Sequence, residues 1–178
     1  MRKYTSLTFI VSLLVAPLLS GCGYKEYAYH PTPCVPMALL GDLSESVQYD
    51  TDGNRSLIIN LDQVKGWCEG DEETTNVKLV IQTMIQRPNT ASDDSQEFSF
   101  DYFITVTDAQ NDIISKMIYT ALVDFDENQR KKVELIEQVI SIPESSEKSI
   151  KDYRVYVGLQ VDSVQLEKNR KKYARRGK

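Results

Sequence analysis

The chain has 178 residues, a net charge of −5, and apolar and charged fractions of 41% and 26%, which are ordinary for a globular protein. Residues 22–164 carry a net charge of −13, whereas Gln165–Lys178 contains seven basic residues and one Glu. The acidic body argues against nucleic acid as a partner.

The first 22 residues contain the parts of a bacterial export signal in the right order. Arg2 and Lys3 precede the mostly apolar stretch Leu7–Leu19, which is shorter than the roughly 20 residues that span a bilayer. The stretch ends in Leu19-Ser20-Gly21-Cys22. This sequence resembles the lipobox of bacterial lipoproteins, in which the cysteine thiol receives a diacylglycerol. An ordinary secretory signal with a chance cysteine is the alternative.

The resemblance implies that residues 1–21 are removed and that Cys22 becomes a lipidated N-terminus. The lipid is the only membrane insertion that the sequence predicts. Gly23 follows the cysteine, and the absence of Asp there favours the periplasmic face of the outer membrane over the inner membrane. Residues 22–33 should form an extended tether because of their two prolines. The single histidine, His30, lies in this tether.

Two further cysteines, Cys34 and Cys68, are expected to form a disulfide in an oxidising compartment. The turn sequence Tyr49–Asn54 lies midway between them. The flanking apolar runs, Val35–Leu43 and Leu57–Trp67, would then pair as an antiparallel hairpin with the cysteines opposite each other. The bond would close a loop of about 35 residues and contribute roughly 3–4 kcal/mol.

Their spacing fits neither a zinc site nor a redox C-x-x-C motif. Trp67 precedes Cys68. We expect it to pack on the disulfide or on the core, and an exposed platform for a ligand is the alternative.

Residues 34–161 mostly alternate apolar and polar side chains, a pattern typical of half-buried strands. The pattern predicts a seven-stranded antiparallel β-sandwich of the immunoglobulin or fibronectin type III kind, with a lipocalin-like barrel as the alternative. Tyr153 resembles the tyrosine corner of those domains. The predicted strands are Val35–Leu43, Leu57–Trp67, Val77–Ile85, Phe98–Val106, Ile113–Val123, Lys132–Ile142 and Tyr153–Val161.

Lys132–Ile142 also fits a helix, but Pro143 ends it and a strand follows. Residues 162–178 should form a short basic helix and tail with Asp162 as its N-cap. The tail could contact anionic lipid headgroups or an acidic partner. A solvated, partly helical end is the alternative.

Further motifs give a family resemblance. A proline follows Cys34 closely, before a short apolar run, and Cys68 precedes an acidic loop. The segment Tyr153–Gln160 is followed by a predicted helix that contains Asn169-Arg170. With the lipobox, these features resemble a family of small, uncharacterised lipoproteins from alphaproteobacteria over most of the mature chain. The resemblance implies the anchor, the disulfide and the fold, but no activity.

Catalytic and metal-binding patterns are weak. A hydrolase triad needs a base, usually histidine, and the chain has only His30. The acidic cluster Glu69–Glu73 lacks the regular spacing of a calcium loop. Asp50, Asp52 and Gly53 resemble part of such a loop, but a hairpin turn explains them better. We therefore expect no enzymatic activity, metal or cofactor.

The sequence favours a lipid-anchored, non-enzymatic accessory or structural subunit of an envelope assembly, with an envelope protein as partner. The alternative is a periplasmic ligand-binding or carrier module that uses loops at the end of the sandwich, such as Glu69–Asn76.

Overall fold

A computed structural model describes residues 34–70, 74–88, 97–143 and 149–176 of the protein, and all of them belong to one compact unit. The leader, Cys22 and the tether with His30 lie outside the described residues. Within the described ranges, no helix has both the length and the apolar character needed to cross a membrane.

The described residues form two four-stranded sheets and one helix. Sheet A has the strand order β1-β8-β5-β6, and sheet B has the order β2-β3-β4-β7. In chain order the elements are β1 (Met37–Leu39), a 3₁₀ turn (Gly41–Leu43), β2 (Glu45–Tyr49), β3 (Arg55–Gly70), β4 (Thr74–Gln86), β5 (Glu97–Thr107), β6 (Ile113–Asp124), β7 (Lys131–Pro143), a second 3₁₀ turn (Ile150–Asp152), β8 (Arg154–Leu159) and α1 (Ser163–Arg176).

The core lies between the two sheets, because each strand turns alternate side chains inward. Leu79 and Ile81 of β4 are buried against the inward side chains of sheet A, among them Ile104 of β5 and Val157 of β8. The expected β-sandwich with a C-terminal helix is confirmed. Lys132–Ile142 is a strand, as its flanks predicted, and Ile113–Val123 pairs with β5.

The first predicted strand, Val35–Leu43, is instead divided between both sheets. Its first part, β1, pairs in parallel with β8, and the chain then turns at Gly41–Leu43 and enters sheet B as β2. The prediction of seven strands, all antiparallel, is therefore corrected to eight in the described residues, with one parallel pair. A continuous apolar run carries no local sign of the point at which the chain changes sheets.

The turn predicted near Gly53 is confirmed, but it joins β2 to β3 rather than ending a long hairpin. Asp50 Oδ1 accepts hydrogen bonds from the backbone N–H groups of Asp52 and Asn54, at 3.0 and 2.8 Å. Gly53 has a φ of 79°, which favours glycine.

The strand order differs from that of an immunoglobulin constant domain, in which the last two strands are neighbours in one sheet. Here β7 and β8 lie in different sheets. Tyr153 is buried, and its hydroxyl donates to the carbonyl oxygen of Pro143 at 3.3 Å, a bond of the tyrosine-corner kind. The sandwich architecture is thus confirmed, whereas the immunoglobulin or fibronectin type is not.

Helix α1 begins as predicted, since Asp162 Oδ1 accepts from the N–H of Gln165 at 2.7 Å. The helix packs on the segment that carries the chain from β1 to β2. Asn169 is only 1% exposed, and its Nδ2 donates to the carbonyl oxygens of Asp42 and Glu45, at 2.9 and 2.7 Å. Both carbonyl groups are thereby satisfied, and the helix is fixed to the first 3₁₀ turn.

That turn covers part of the outer face of sheet A. Phe103 of β5 points away from the core cluster, yet it is only 5% exposed. Its ring lies beside Gly158, where an added Cβ would come within 2.7 Å of Phe103 Cζ and 3.1 Å of Leu43 Cβ. The Lys116 ammonium lies 4.2 Å from the centre of the ring. Phe103 is therefore enclosed by a strand, a turn and a cation.

Candidate functional site

The disulfide between Cys34 and Cys68 is present, with the two Cα atoms 5.1 Å apart. Cys68 is buried in β3. Cys34 lies just before β1, so the bond links the start of an edge strand of sheet A to sheet B. The pairing was predicted correctly, but the hairpin that was expected to produce it is wrong, because Met37–Leu39 pairs with β8.

Trp67 points to the opposite side of sheet B from the disulfide, because adjacent residues of a strand face opposite sides. Its side chain is 41% exposed, and its indole N–H donates to Glu69 Oε1 at 3.3 Å. The expectation that Trp67 packs on the disulfide or the core is therefore wrong. The exposed platform is the arrangement that the structure shows.

Trp67 is one wall of a groove of about 460 Å³ on the outer face of sheet B. The sheet register explains its composition, since Gln63 lies opposite Gln82 and Lys65 opposite Val80. Leu135 of β7 pairs with Gln82 on the next strand and forms the other wall. Three adjacent strands thus supply the groove.

Further apolar side chains lie on the same face, where Glu137 separates Leu135 from Val139 and Lys78 lies between Trp67 and Val139. Leu135 is 61% exposed, and Val133 and Val139 on the same outward side of β7 are also exposed. We call Trp67, Val133, Leu135 and Val139 the outer patch of sheet B. Exposed apolar side chains gathered on one face of a protein often mark interaction sites, so the outer patch is the strongest candidate for a binding surface.

Polar groups in the groove are available to a ligand. The side chains of Gln63 and Gln82 make no hydrogen bond with any described residue, and Lys65 makes no ion pair there. Two amides and an ammonium therefore lie beside an aromatic ring. Sites for small ligands combine apolar walls with a few such polar groups.

Glu69 holds Trp67 and is itself held by a cation. Lys78 Nζ lies 2.7 Å from Glu69 Oε2. The hydrogen bond from Lys78 is the main cause of a lowered pKa for the Glu69 carboxyl, and the bond from Trp67 acts in the same direction. At neutral pH Glu69 is thus an ionised acceptor that orients the indole.

The other acidic candidates do not form a site in the described ranges. Asp50 caps the turn before β3, and residues 71–73 of the acidic loop lie outside the described residues. No group of three or more His, Cys, Asp or Glu side chains that could hold a metal occurs in the part of the chain that the structure describes.

Much of the positive charge of the C-terminal helix is used within the protein. Arg170 pairs with Asp42 at 3.1 Å, and Lys172 pairs with Glu45. Lys171 pairs with Glu167 along the helix. The charge that remains for a partner is therefore smaller than the sequence suggests.

The sequence contained signals for the outer patch that were not used. Cys68 had to face inward to form a buried disulfide, which places Trp67 outward by alternation. The apolar residues on both sides of β7, which made a helix conceivable, also indicated that its outward side is apolar.

No protein-family model, curated protein or solved structure matches this chain. Its function must therefore be inferred from its own residues and their arrangement. The resemblance to alphaproteobacterial lipoproteins stays an expectation from the sequence.

Proposed function

We propose that the chain is a lipid-anchored, non-enzymatic lipoprotein of the bacterial envelope and an accessory subunit of an envelope assembly. Support for the anchor comes from the leader and from Leu19-Ser20-Gly21-Cys22. The proposal includes membership of the alphaproteobacterial lipoprotein family. It also includes an immunoglobulin or fibronectin type III origin of the sandwich, which the Tyr153 hydrogen bond favours and the strand order opposes.

The anchor places Cys22 as the N-terminal residue of the mature protein, on the periplasmic face of the outer membrane, with the inner membrane as the alternative. Growth with labelled palmitate should label the wild-type chain and leave Cys22→Ser unlabelled. Fractionation should move the Cys22→Ser variant from the membrane to the periplasmic fraction. Equal labelling of both proteins would refute the lipid on Cys22.

The observation that carries the accessory role is the exposed outer patch of sheet B. Tryptophan is among the residues that dominate binding energy at protein interfaces. Trp67 stands at one end of the patch, held by Glu69, with Leu135 of β7 on the other side of the groove. A surface of this kind suits an envelope protein that has an apolar patch of its own.

A photo-crosslinking amino acid at Leu135, in the lipidated chain and in living cells, tests this role. We expect one defined envelope protein to be captured, and we expect Trp67→Ala to reduce its yield at least tenfold. The same amino acid at the exposed turn residue Gln110 is the matched control and should capture none of it. Capture of lipid alone at Leu135, or an equal yield from Gln110, would refute the accessory role.

A second function, the binding of a small ligand, is favoured by the groove itself. The sequence motifs pointed to the loop Glu69–Asn76, whereas the cavity lies on the face of sheet B. An aromatic wall beside the free amides of Gln63 and Gln82 suits a ligand with one apolar face and several hydroxyl groups, such as a sugar ring.

Trp67 is the only tryptophan, so its fluorescence reports directly on the groove. Titration with soluble peptidoglycan fragments should shift the emission in a saturable manner. The shift should be lost in a Gln63→Ala, Gln82→Ala double variant. No saturable change in the wild type would refute sugar binding and leave the accessory role intact.

The exposed cations Lys168 and Arg175 of α1 make no ion pair with described residues. They support a contact of the helix with anionic lipid headgroups or with an acidic partner.

A further inference from the structure

The edges of the two sheets are protected to different degrees. Exposed edge strands invite pairing with another chain, and proteins counter this with short strands, covering elements or inward-pointing charges. Strand β1 has three residues. Strand β2 has five, and its first residue, Glu45, is bonded to α1. The 13-residue β7 has an inward-facing ion pair between Lys132 and Glu134.

In the described part of the chain, strand β6 has no covering strand and no inward-pointing charge, and its lysine, Lys116, lies over the Phe103 ring of β5. The strand is twelve residues long, pairs with β5 along one side, and is the last strand of sheet A. Its outward side chains include Ile118, 57% exposed, and Leu122, 70% exposed. Its inward positions carry no charge; they are Ser115, Met117, Tyr119, Ala121 and Val123.

We propose that β6 pairs antiparallel with β6 of a second copy of this chain, about a two-fold axis. Two copies of sheet A would then form one continuous eight-stranded sheet. A two-fold interface must be self-complementary, because the same strand supplies both sides. The sequence of β6 meets that condition in one register.

With the axis at Thr120, Ile118 lies opposite Leu122 of the second copy, and Lys116 lies opposite its Asp124. The two apolar side chains and the opposite charges are on the same outward side of the sheet. Cross-strand pairs of these kinds stabilise a sheet. By symmetry the pair of Ile118 with Leu122 occurs twice, so both exposed apolar side chains of each copy are covered.

Neighbouring registers lack this match. An axis at Tyr119 places Lys116 opposite Leu122. An axis at Ile118 pairs Ile118 with itself and Ile114 with Leu122, but it places Lys116 opposite Thr120, so Lys116 gains no opposite charge within β6. The charge pattern therefore selects Thr120 as the centre.

This pairing uses the β6 edge of sheet A, whereas Trp67 lies on β3, an inner strand of sheet B. The dimer is therefore independent of the proposed accessory role. An experiment can refute the dimer without refuting the accessory role, and the reverse also holds.

Cysteine crosslinking in the full chain, exported to an oxidising compartment, tests the register. Directly opposite residues have Cα atoms about 4.5–5.5 Å apart, within the range of about 4.4–6.8 Å that a disulfide needs. Thr120→Cys should give a disulfide-linked homodimer on non-reducing gels. Ile118→Cys alone should not, whereas Lys116→Cys combined with Asp124→Cys should.

Val164→Cys is the control for non-specific crosslinking, because Val164 is exposed but lies on α1. A homodimer band from Val164→Cys as strong as that from Thr120→Cys would overturn the proposal. Crosslinking of Thr120→Cys to a different protein in place of a second copy would also overturn it.

Sedimentation of the detergent-solubilised protein gives a second readout that needs no cysteine. The wild type and Val164→Lys should sediment with twice the mass of Leu122→Lys, since a lysine in place of Leu122 removes the apolar cross-strand pair and opposes strand pairing. Circular dichroism checks that both variants are folded. A monomeric wild type would overturn the proposal.

Discussion

The outer faces of the two sheets each carry an outward-pointing aromatic side chain, but only one of them is covered. Phe103 on sheet A is 5% exposed beneath the first 3₁₀ turn, whereas Trp67 on sheet B is 41% exposed. Strand alternation places both rings outward in the same way. The difference arises from Gly41–Leu43, which α1 fixes in place through Asn169. The covered aromatic ring therefore lies on sheet A and the exposed one on sheet B, where it lines a groove and is the better candidate for binding.

The largest expected effect contrasts the two aromatic residues directly. Phe103→Ala should lower the free energy of unfolding by about 3–4 kcal/mol, because it removes a buried ring and leaves a cavity. Trp67→Ala should cost less than about 1 kcal/mol, because the ring is largely in solvent. Urea denaturation of both variants measures the difference. Equal losses would show that the two faces are not distinct.

A smaller loss of stability is expected at Gly158, where the first 3₁₀ turn and the Phe103 ring pack most closely. Gly158→Ala adds a Cβ that would lie 2.7 Å from Phe103 Cζ, so the ring must move against Leu43. We expect a loss of about 2 kcal/mol. Gln160→Ala, at an exposed position just after the same strand, is the control and should change stability little. A neutral Gly158→Ala would mean that Phe103 is only loosely held.

The hydrogen bonds that attach the first 3₁₀ turn to α1 can be removed without changing any residue of sheet A. Asn169→Ala leaves two backbone carbonyl groups without their donor and should cost about 1–3 kcal/mol. Hydrogen exchange should become faster in α1 and in the turn that covers Phe103, and should stay unchanged in β4. Lys168→Ala, at the exposed neighbouring position, should leave exchange as in the wild type.

The smallest effect is expected at low pH and is confined to sheet B. The pKa of Glu69 lies below its ordinary value of 4.5, mainly because Lys78 donates to it. The stabilising contribution of this carboxylate is therefore present above pH 4.5 and is lost as the pH falls through the lower pKa of Glu69. Trp67 emission should change with a midpoint below pH 4.5. The same transition in Glu69→Gln would exclude Glu69 as its origin.

Local patterns were sufficient to predict most strands. Alternation located strands corresponding to β3 through β8, the turn near Gly53 was evident from its residue types, and Asp162 marked the start of α1. The disulfide followed from the predicted oxidising compartment and from the presence of two cysteines besides Cys22. These features depend on neighbours in sequence or on few alternatives, so physical rules apply to them directly.

Other features depend on distant contacts and could not be predicted in this way. Nothing near Val35–Leu43 indicates that the run divides between two sheets, since that depends on pairing with β8 more than 110 residues later. The cover over Phe103 requires Asn169 to reach Asp42, 127 residues away. The groove beside Trp67 combines β3, β4 and β7, so it appears only once the sheet order is known.

The Cys34–Cys68 bond also determines how the domain bears load. Any pull transmitted along the chain toward Cys34 meets β1, which has only three residues and would peel from β8 one hydrogen bond at a time. The covalent link passes that force to Cys68 in β3, a 16-residue strand paired on both sides. Load then enters the domain through a strand that is paired on both sides, and the three residues of β1 are bypassed.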